Sequence, residues 1–291
     1  MTSALAENPH NHTVALLVRD CPSCGQDNRQ LAPTEFGDQD WPIKACGACQ
    51  FVYLETAPVY ERLSEEFAWE KTSVAETGRR FSEEPIRQSL SKALKAFRRR
   101  FLKRDKLGWL IRHYLEAGNV LDIGCASGGI MKTLDLIYVP YGVEISKTLA
   151  TRANEVATAR GGYVIHDNAV SGLAQFPEGH FTGIVMSAFL EHEVQPRALL
   201  SGAFRSLKDG GRCIIKVPNF ASLNRMVRGK KWCGFRLPDH VNYFTPSNLT
   251  AMCKAVGFGI EKFNFADQLP ISDNMWIVIQ KPKQDSHDSM V

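Results

Sequence analysis

From Asn119 onward, short β-forming runs alternate with helical segments, and no other feature of the chain constrains its fold so strongly. The runs are Val120-Leu-Asp-Ile123, Tyr141-Gly-Val143, Tyr163-Val-Ile165, Gly183-Ile-Val-Met186 and Cys213-Ile-Ile-Lys-Val217, with two more near 258–265 and 275–280. Helical patterns separate them at about 128–137, 146–159 and 196–208. A last helix over 246–256 is opened by Thr245-Pro246 and closed by Gly257. Parallel strands need long crossovers, which helices supply, so the pattern predicts an α/β fold with a Rossmann-like seven-stranded sheet.

The first run continues as Val120-Leu-Asp122-Ile-Gly124-Cys125-Ala126-Ser-Gly128-Gly129, a strand, a small-residue turn and an expected helix start. Such turns lie at the carboxyl ends of parallel strands, where ligands bind. A dinucleotide fingerprint is met only loosely by Gly124, Ala126 and Gly129. Asp122 argues against it, because a carboxylate just ahead of the turn repels a pyrophosphate. The same carboxylate suits a ligand carrying an ammonium and a sulfonium. Glu144, at the end of the second run, stands where an acid accepts hydrogen bonds from both hydroxyls of a ribose.

These residues resemble the class I S-adenosylmethionine-dependent methyltransferases, with the donor turn at Asp122–Gly128 and the ribose acid at Glu144. Further matches follow in order. Asp167-Asn168 lie where the family holds adenine, Ala188-Phe-Leu-Glu-His192 follows the fourth strand, and Leu207–Gly211 with Ile214–Asn219 resembles the turn and fifth strand. The resemblance implies S-adenosylmethionine as cofactor, bound by Asp122, Gly124, Cys125, Ala126, Gly128, Glu144, Asp167 and Asn168. Two positions depart from the family: Thr182 replaces an Asp, and Ala126 replaces the middle glycine.

Methyl transfer from a sulfonium is an in-line displacement, so catalysis needs positioning and a group to take the acceptor's proton. His192, at the rim after the fourth strand, and His240, in Pro238-Asp-His240-Val-Asn-Tyr243, are the candidate bases, with Tyr243 a third catalytic candidate. An ordering role in its loop is the alternative for His192, and packing for Tyr243. Asp239 or another acid is expected to orient an imidazole. Between Lys216 and Tyr243, Arg225, Arg228, Lys230, Lys231, Trp232 and Arg236 form either an acceptor wall suited to an anionic small molecule or a solvated loop.

Ahead of this domain stand Cys21-Pro-Ser-Cys24-Gly25 and Cys46-Gly-Ala-Cys49. Two residues between cysteines let both sulfurs face one point, and two such pairs make a closed tetrahedral site for structural zinc. Gly25 and Gly47 are expected to serve the tight turns. A disulfide lobe is the rival reading, which the absence of an export signal disfavours. A four-cysteine module preceding this domain resembles a subgroup of bacterial methyltransferases with an N-terminal zinc ribbon, several of which act on sugars or other small metabolites.

The expected organisation is a disordered tail over 1–18, a zinc-ribbon module over 19–57, a helical cap and linker over 58–118, the methyltransferase domain over 119–282 and a loose tail over 283–291. No apolar run reaches the ~20 residues of a membrane span, so the sequence reads as cytoplasmic. Net charge is +4, yet Lys92–Lys106 alone carries eight basic residues and one acid, with Leu94, Phe97 and Phe101 on one helical face. The function expected is methylation of an O or N atom of a small molecule such as a sugar or secondary metabolite. An RNA methyltransferase gripping nucleic acid with the ribbon and basic helix, or a non-catalytic binding protein keeping the fold, are the alternatives.

Overall fold

A computed structural model describes residues 16–59 and 105–283. The expected N-terminal tail, most of the helical cap, the basic helix with Leu94, Phe97 and Phe101, and the final tail lie outside the described residues.

Seven strands form the main sheet: β5 (Gly118–Ile123), β6 (Tyr138–Glu144), β7 (Val164–His166), β8 (Phe181–Ser187), β9 (Leu207–Pro218), β11 (Gly259–Lys262) and β12 (Asn274–Gln280). Their order is β11-β12-β9-β8-β5-β6-β7. β5 to β9 pair in parallel, and β12 runs antiparallel to both β9 and β11. Successive side chains of a strand point to opposite faces, and both faces are buried. Leu121, Ile123, Ile184, Met186, Cys213 and Ile215 pack on one side with Leu173, Leu199, Leu249 and Met252. Val120, Val185, Ile214 and Val278 pack on the other against Leu110, Ile111 and Leu115 of helix α1 (Lys106–Tyr114) and the residue after it.

The crossover helices are α2 (Lys147–Thr158), α3 (Ala169–Ala174) and α4 (Pro196–Ser206); α5 (Leu223–Arg228) follows β9. Helix α6 (Pro246–Val256) has the expected ends: the Thr245 side chain caps its first turn, and Gly257 closes it at φ 110°. Such an N-cap is worth about 1 kcal/mol. The helix expected over 128–137 is absent; only a 3-10 turn, Met131–Thr133, forms there. Two consecutive glycines favour no helix at its start, and the chain must reach β6 at Tyr138. Consequently no long helix starts directly from the turn at Gly128–Gly129, as the first helix of a dinucleotide-binding unit does.

The cysteine region builds two small sheets. β1 (Leu16–Val18) pairs with β4 (Thr56–Pro58), and β2 (Ile43–Ala45) with β3 (Val52–Leu54). β3 also pairs with β10 (Asn242–Tyr243), which lies outside every strand run the sequence offers. No helix among the described residues is long and apolar enough to cross a membrane.

Candidate functional site

At the carboxyl end of β5 the chain turns through three positive-φ residues, Gly124 (71°), Ala126 (46°) and Gly128 (78°). A side chain at Gly124 would bring its Cβ to 2.2 Å from the Phe189 ring, so only glycine fits. Ala126 does carry a Cβ in this region, a conformation costing roughly 1–2 kcal/mol. Its N–H donates to Glu144 Oε2 at 2.9 Å, and Ser146 N–H donates to Oε1 at 2.9 Å. Both oxygens of Glu144 are thereby fixed at the tip of β6.

Asp122 is 3% exposed, and its Oδ2 has no hydrogen-bond partner among the described residues. Burial, aided by the nearby Glu144 charge, pushes its pKa up to about 8. Ionising this carboxyl beside the fastened Glu144 calls for a positive charge nearby, which a bound cation would supply. Cys125 contributes backbone to the turn, its N–H donating to Val143 O at 3.3 Å, while its thiol packs with Met131, Ala153 and Ala157. Asp167 accepts from Gln175 Nε2 at 2.8 Å and from Asn168, whose own Oδ1 caps α3 through Ser171 N–H. Both therefore sit just past β7, where the sequence expects them, with most of their polar atoms engaged locally.

Thr182 has a structural explanation. Its hydroxyl lies 3.0 Å from Glu116 O and 3.1 Å from Asn119 O, clipping the entry of β5 to the adjoining β8.

Beyond β8, Phe189 lies against Gly124, and Glu191 and His192 follow immediately. His240 comes from the far side of the segment after β9, yet its ring centroid is 4.6 Å from that of His192, edge to face. One ligand atom each of Glu191, His192 and His240 lies within 4.8 Å of the others. The imidazoles are oriented by backbone: His192 Nδ1 is 2.9 Å from Asp239 O, and His240 Nδ1 is 2.8 Å from Gly234 O. Nδ1 is then the donor on each ring, which leaves Nε2 with its lone pair. The expected carboxylate orienter is replaced, since Asp239 pairs instead with Arg236 at 3.0 Å. Burial, with help from Arg236, holds His192 down to about 4, so it is neutral at physiological pH. Burial likewise raises Glu191 to about 8, against the pull of Lys216 and Arg236, and its Oε2 makes no hydrogen bond among the described residues. Tyr243 is placed differently: its ring joins the aromatic cluster of Phe220 (5.9 Å) and Phe235 (5.2 Å), and its hydroxyl is buried without a hydrogen bond among the described residues.

A family described as methyltransferase domain matches residues 82–262, well over half of the chain. The chain belongs to this methyltransferase family. It is an S-adenosylmethionine-dependent methyltransferase with the family's seven-stranded fold. The methyltransferase is 26% identical over 165 residues to a ubiquinone biosynthesis O-methyltransferase of Paraburkholderia xenovorans, covering 52% of this chain and 68% of that one. It is 23% identical over 193 residues to a protein of the same description from Psychrobacter arcticus, covering 58% and 74%. Among solved structures, a chain of the Haloferax volcanii complex between the Trm112 methyltransferase activator and a putative methyltransferase shares the fold. There the TM-score is 0.50 with 15% identity, over 65% of this chain and 93% of that one.

In the N-terminal part of the methyltransferase, Cys21, Cys24, Cys46 and Cys49 bring their sulfurs within 4.8 Å of one another. Cys21–Cys49 and Cys24–Cys46 are 3.5 and 3.6 Å apart, too far for the ~2.05 Å bond of a disulfide. The two turns are equivalent, Gly25 N–H donating to Cys21 O and Gln50 N–H to Cys46 O. Their left-handed positions are Gly25 (φ 80°) and Gln50 (φ 59°), and Gly47 lies within the second turn without a positive φ.

Sequence reasoning missed Arg19. Its buried guanidinium donates to Leu54 O (3.2 Å), Val241 O (2.9 Å), Val194 O (3.1 Å) and Asn242 Oδ1 (2.7 Å). One side chain thus ties the cysteine module to the strand after His240 and to the segment after Glu191. Nothing local in the sequence marks an arginine as buried; its four acceptors lie 35 to 223 residues away. Glu191 was legible as a neighbour of His192, but its convergence with His240 depends on tertiary structure.

Proposed function

We propose that the methyltransferase moves the methyl group of S-adenosylmethionine onto a hydroxyl oxygen of a small molecule held between the donor turn and the His192–His240 pair. The observation carrying this reading is a pair of imidazoles with Nε2 lone pairs, on a segment whose Phe189 touches Gly124 of the donor turn. When bound, the donor supplies an electrophilic methyl on a sulfonium. Asp122 would meet its positive charge, Glu144 would accept from its ribose hydroxyls, and Gly124, Cys125, Ala126 and Gly128 would line its site. Asp167 and Asn168 border the adenine end. His240 accepts the proton of the acceptor hydroxyl, while His192, neutral and weakly basic, holds that hydroxyl by hydrogen bonding. Tyr243 shapes the wall behind His240.

Relatives described as O-methyltransferases support oxygen as the acceptor atom. A small acceptor is also favoured over RNA by the cysteine module itself, two of whose cations face inward. Arg19 is engaged as described, and Lys44 donates to Asn28 O, Arg29 O and Glu55. Turnover measured as S-adenosylhomocysteine release, with panels of phenols, sugar alcohols, amines and RNA, tests the proposal. Methylation confined to amines or to RNA would overturn it.

The four thiolates suit structural zinc. Zn–S bonds of ~2.3 Å in a tetrahedron place sulfurs about 3.8 Å apart, close to the two separations observed. Four protein ligands would leave no position for water, so a bound ion would hold the module's fold together. Cys24→Ser is expected to remove about one zinc per chain and to lower the melting temperature. Metal analysis checks both, and a parent protein free of zinc would refute the assignment.

A further inference from the structure

Residues 219–238, between β9 and His240, contain five cations (Arg225, Arg228, Lys230, Lys231 and Arg236) and no acid. Helix α5 lies within them and buries none of its six residues. Its apolar side chains are presented to solvent instead: Leu223 is 48% exposed, Met226 59% and Val227 86%. Leu223 N–H donates to Pro270 O at 2.7 Å, which brings Ile271, 71% exposed, to the same edge. Lys230 and Lys231 follow at once in a 3-10 turn, both exposed. The adjoining acid, Asp273, is turned inward, receiving Trp232 Nε1 at 2.7 Å and Asn224 Nδ2 at 3.2 Å.

Four large apolar side chains on one edge are costly to leave in water; Arg225 and Arg236 are held by Phe220 O and Asp239, and the exposed Lys230 and Lys231 at the end of that edge call for negative charge. A surface of anionic lipid satisfies both at once, because acyl chains accept the apolar tips while phosphates meet the lysines. We propose that this edge of the methyltransferase docks on an anionic membrane surface, with Leu223, Met226, Val227 and Ile271 at the headgroup boundary and Lys230 and Lys231 at the phosphates. Docking there places a membrane beside the segment that carries His240, at the acceptor end of the site. This goes beyond the proposed reaction and stands independently of it, since the exposure of α5, Lys230 and Lys231 fits the solvated alternative for this segment and not an acceptor wall.

Co-sedimentation of the full chain with vesicles of phosphatidylglycerol and phosphatidylcholine, and with phosphatidylcholine alone, tests the proposal. Binding is expected for the anionic vesicles and should weaken as salt is added. The double variant Met226→Asp with Val227→Asp should lose at least about tenfold in partitioning. Lys230→Glu with Lys231→Glu should lose about fivefold for each cation removed. Melting temperature and S-adenosylmethionine affinity should stay at parental values in both; should the first variant fail to fold, Val227→Asp alone replaces it. Three results would overturn the proposal: no binding by the parent, equal binding to phosphatidylcholine alone, or parental binding by the α5 variant. The last would assign the membrane contact to another part of the chain, such as the basic stretch at 92–104.

Discussion

His240→Ala is expected to lower kcat by about 10² to 10⁴-fold, the range for removing a positioned general base, while leaving donor affinity within twofold or so. Geometry supports a large effect. His240 is 5% exposed, its Nδ1 is held by Gly234 O, and its ring abuts that of His192. A water molecule entering the vacated space would be less basic and poorly oriented. His192→Ala should cost less in kcat and more in KM, because a group held down to about 4 orients a hydroxyl better than it removes a proton. Steady-state kinetics on both variants, with calorimetric titration of the donor, separate the two roles. Equal kcat in His240→Ala and the parent would remove that histidine from the chemistry.

The second large effect is expected at Asp122. Asparagine there keeps shape and volume but removes the charge proposed to meet the sulfonium, and donor affinity should fall by about 10² to 10³-fold. The raised pKa gives this variant a distinctive signature. In the ligand-free protein Asp122 is protonated below about pH 8, whereas a cationic donor favours its ionised form. Affinity should therefore climb from pH 6 to about 8, with release of a proton on binding, and Asp122→Asn should abolish that climb. Stability runs the opposite way. Asp122 and Glu191 both hold protons in the folded state that the unfolded chain has lost above the ordinary carboxylate range. The ligand-free protein should lose stability as pH rises from about 4 to 8, and Asp122→Asn or Glu191→Gln should flatten the loss. Thermal melting across that interval checks the sign.

Local chemistry explains which parts of this molecule were legible beforehand. Runs of three to five mostly apolar residues marked each parallel strand from β5 to β9, because the central strands are covered on both faces and carry few polar residues. Helix α6 was readable to the residue, since Thr245, Pro246 and Gly257 act within one turn of its ends. The helix placed at 128–137 failed for the complementary reason. Apolar spacing suggested it, but Gly128-Gly129 and the short reach to β6 prevented it. In the candidate site, Asp122 and Glu144 announced themselves by position relative to strands. The meeting of His192 with His240 did not, because 48 residues separate them and the segment between folds back through contacts with a distant part of the chain. Arg19 and β10 belong to the same class: their partners are remote, so no window of sequence holds both sides of the contact.

The pairing of β10 with β3 carries an evolutionary corollary. The strand beside His240 and the proposed acceptor end borrows its edge from the cysteine module, with Phe51 and Phe244 meeting at 5.2 Å to seal the seam. A chimaera receiving the corresponding module from a relative must import an arginine at position 19 and a compatible edge strand, or else forfeit the shape of its acceptor pocket. Exchange of modules between lineages would thus be frozen unless both halves of the seam travelled together.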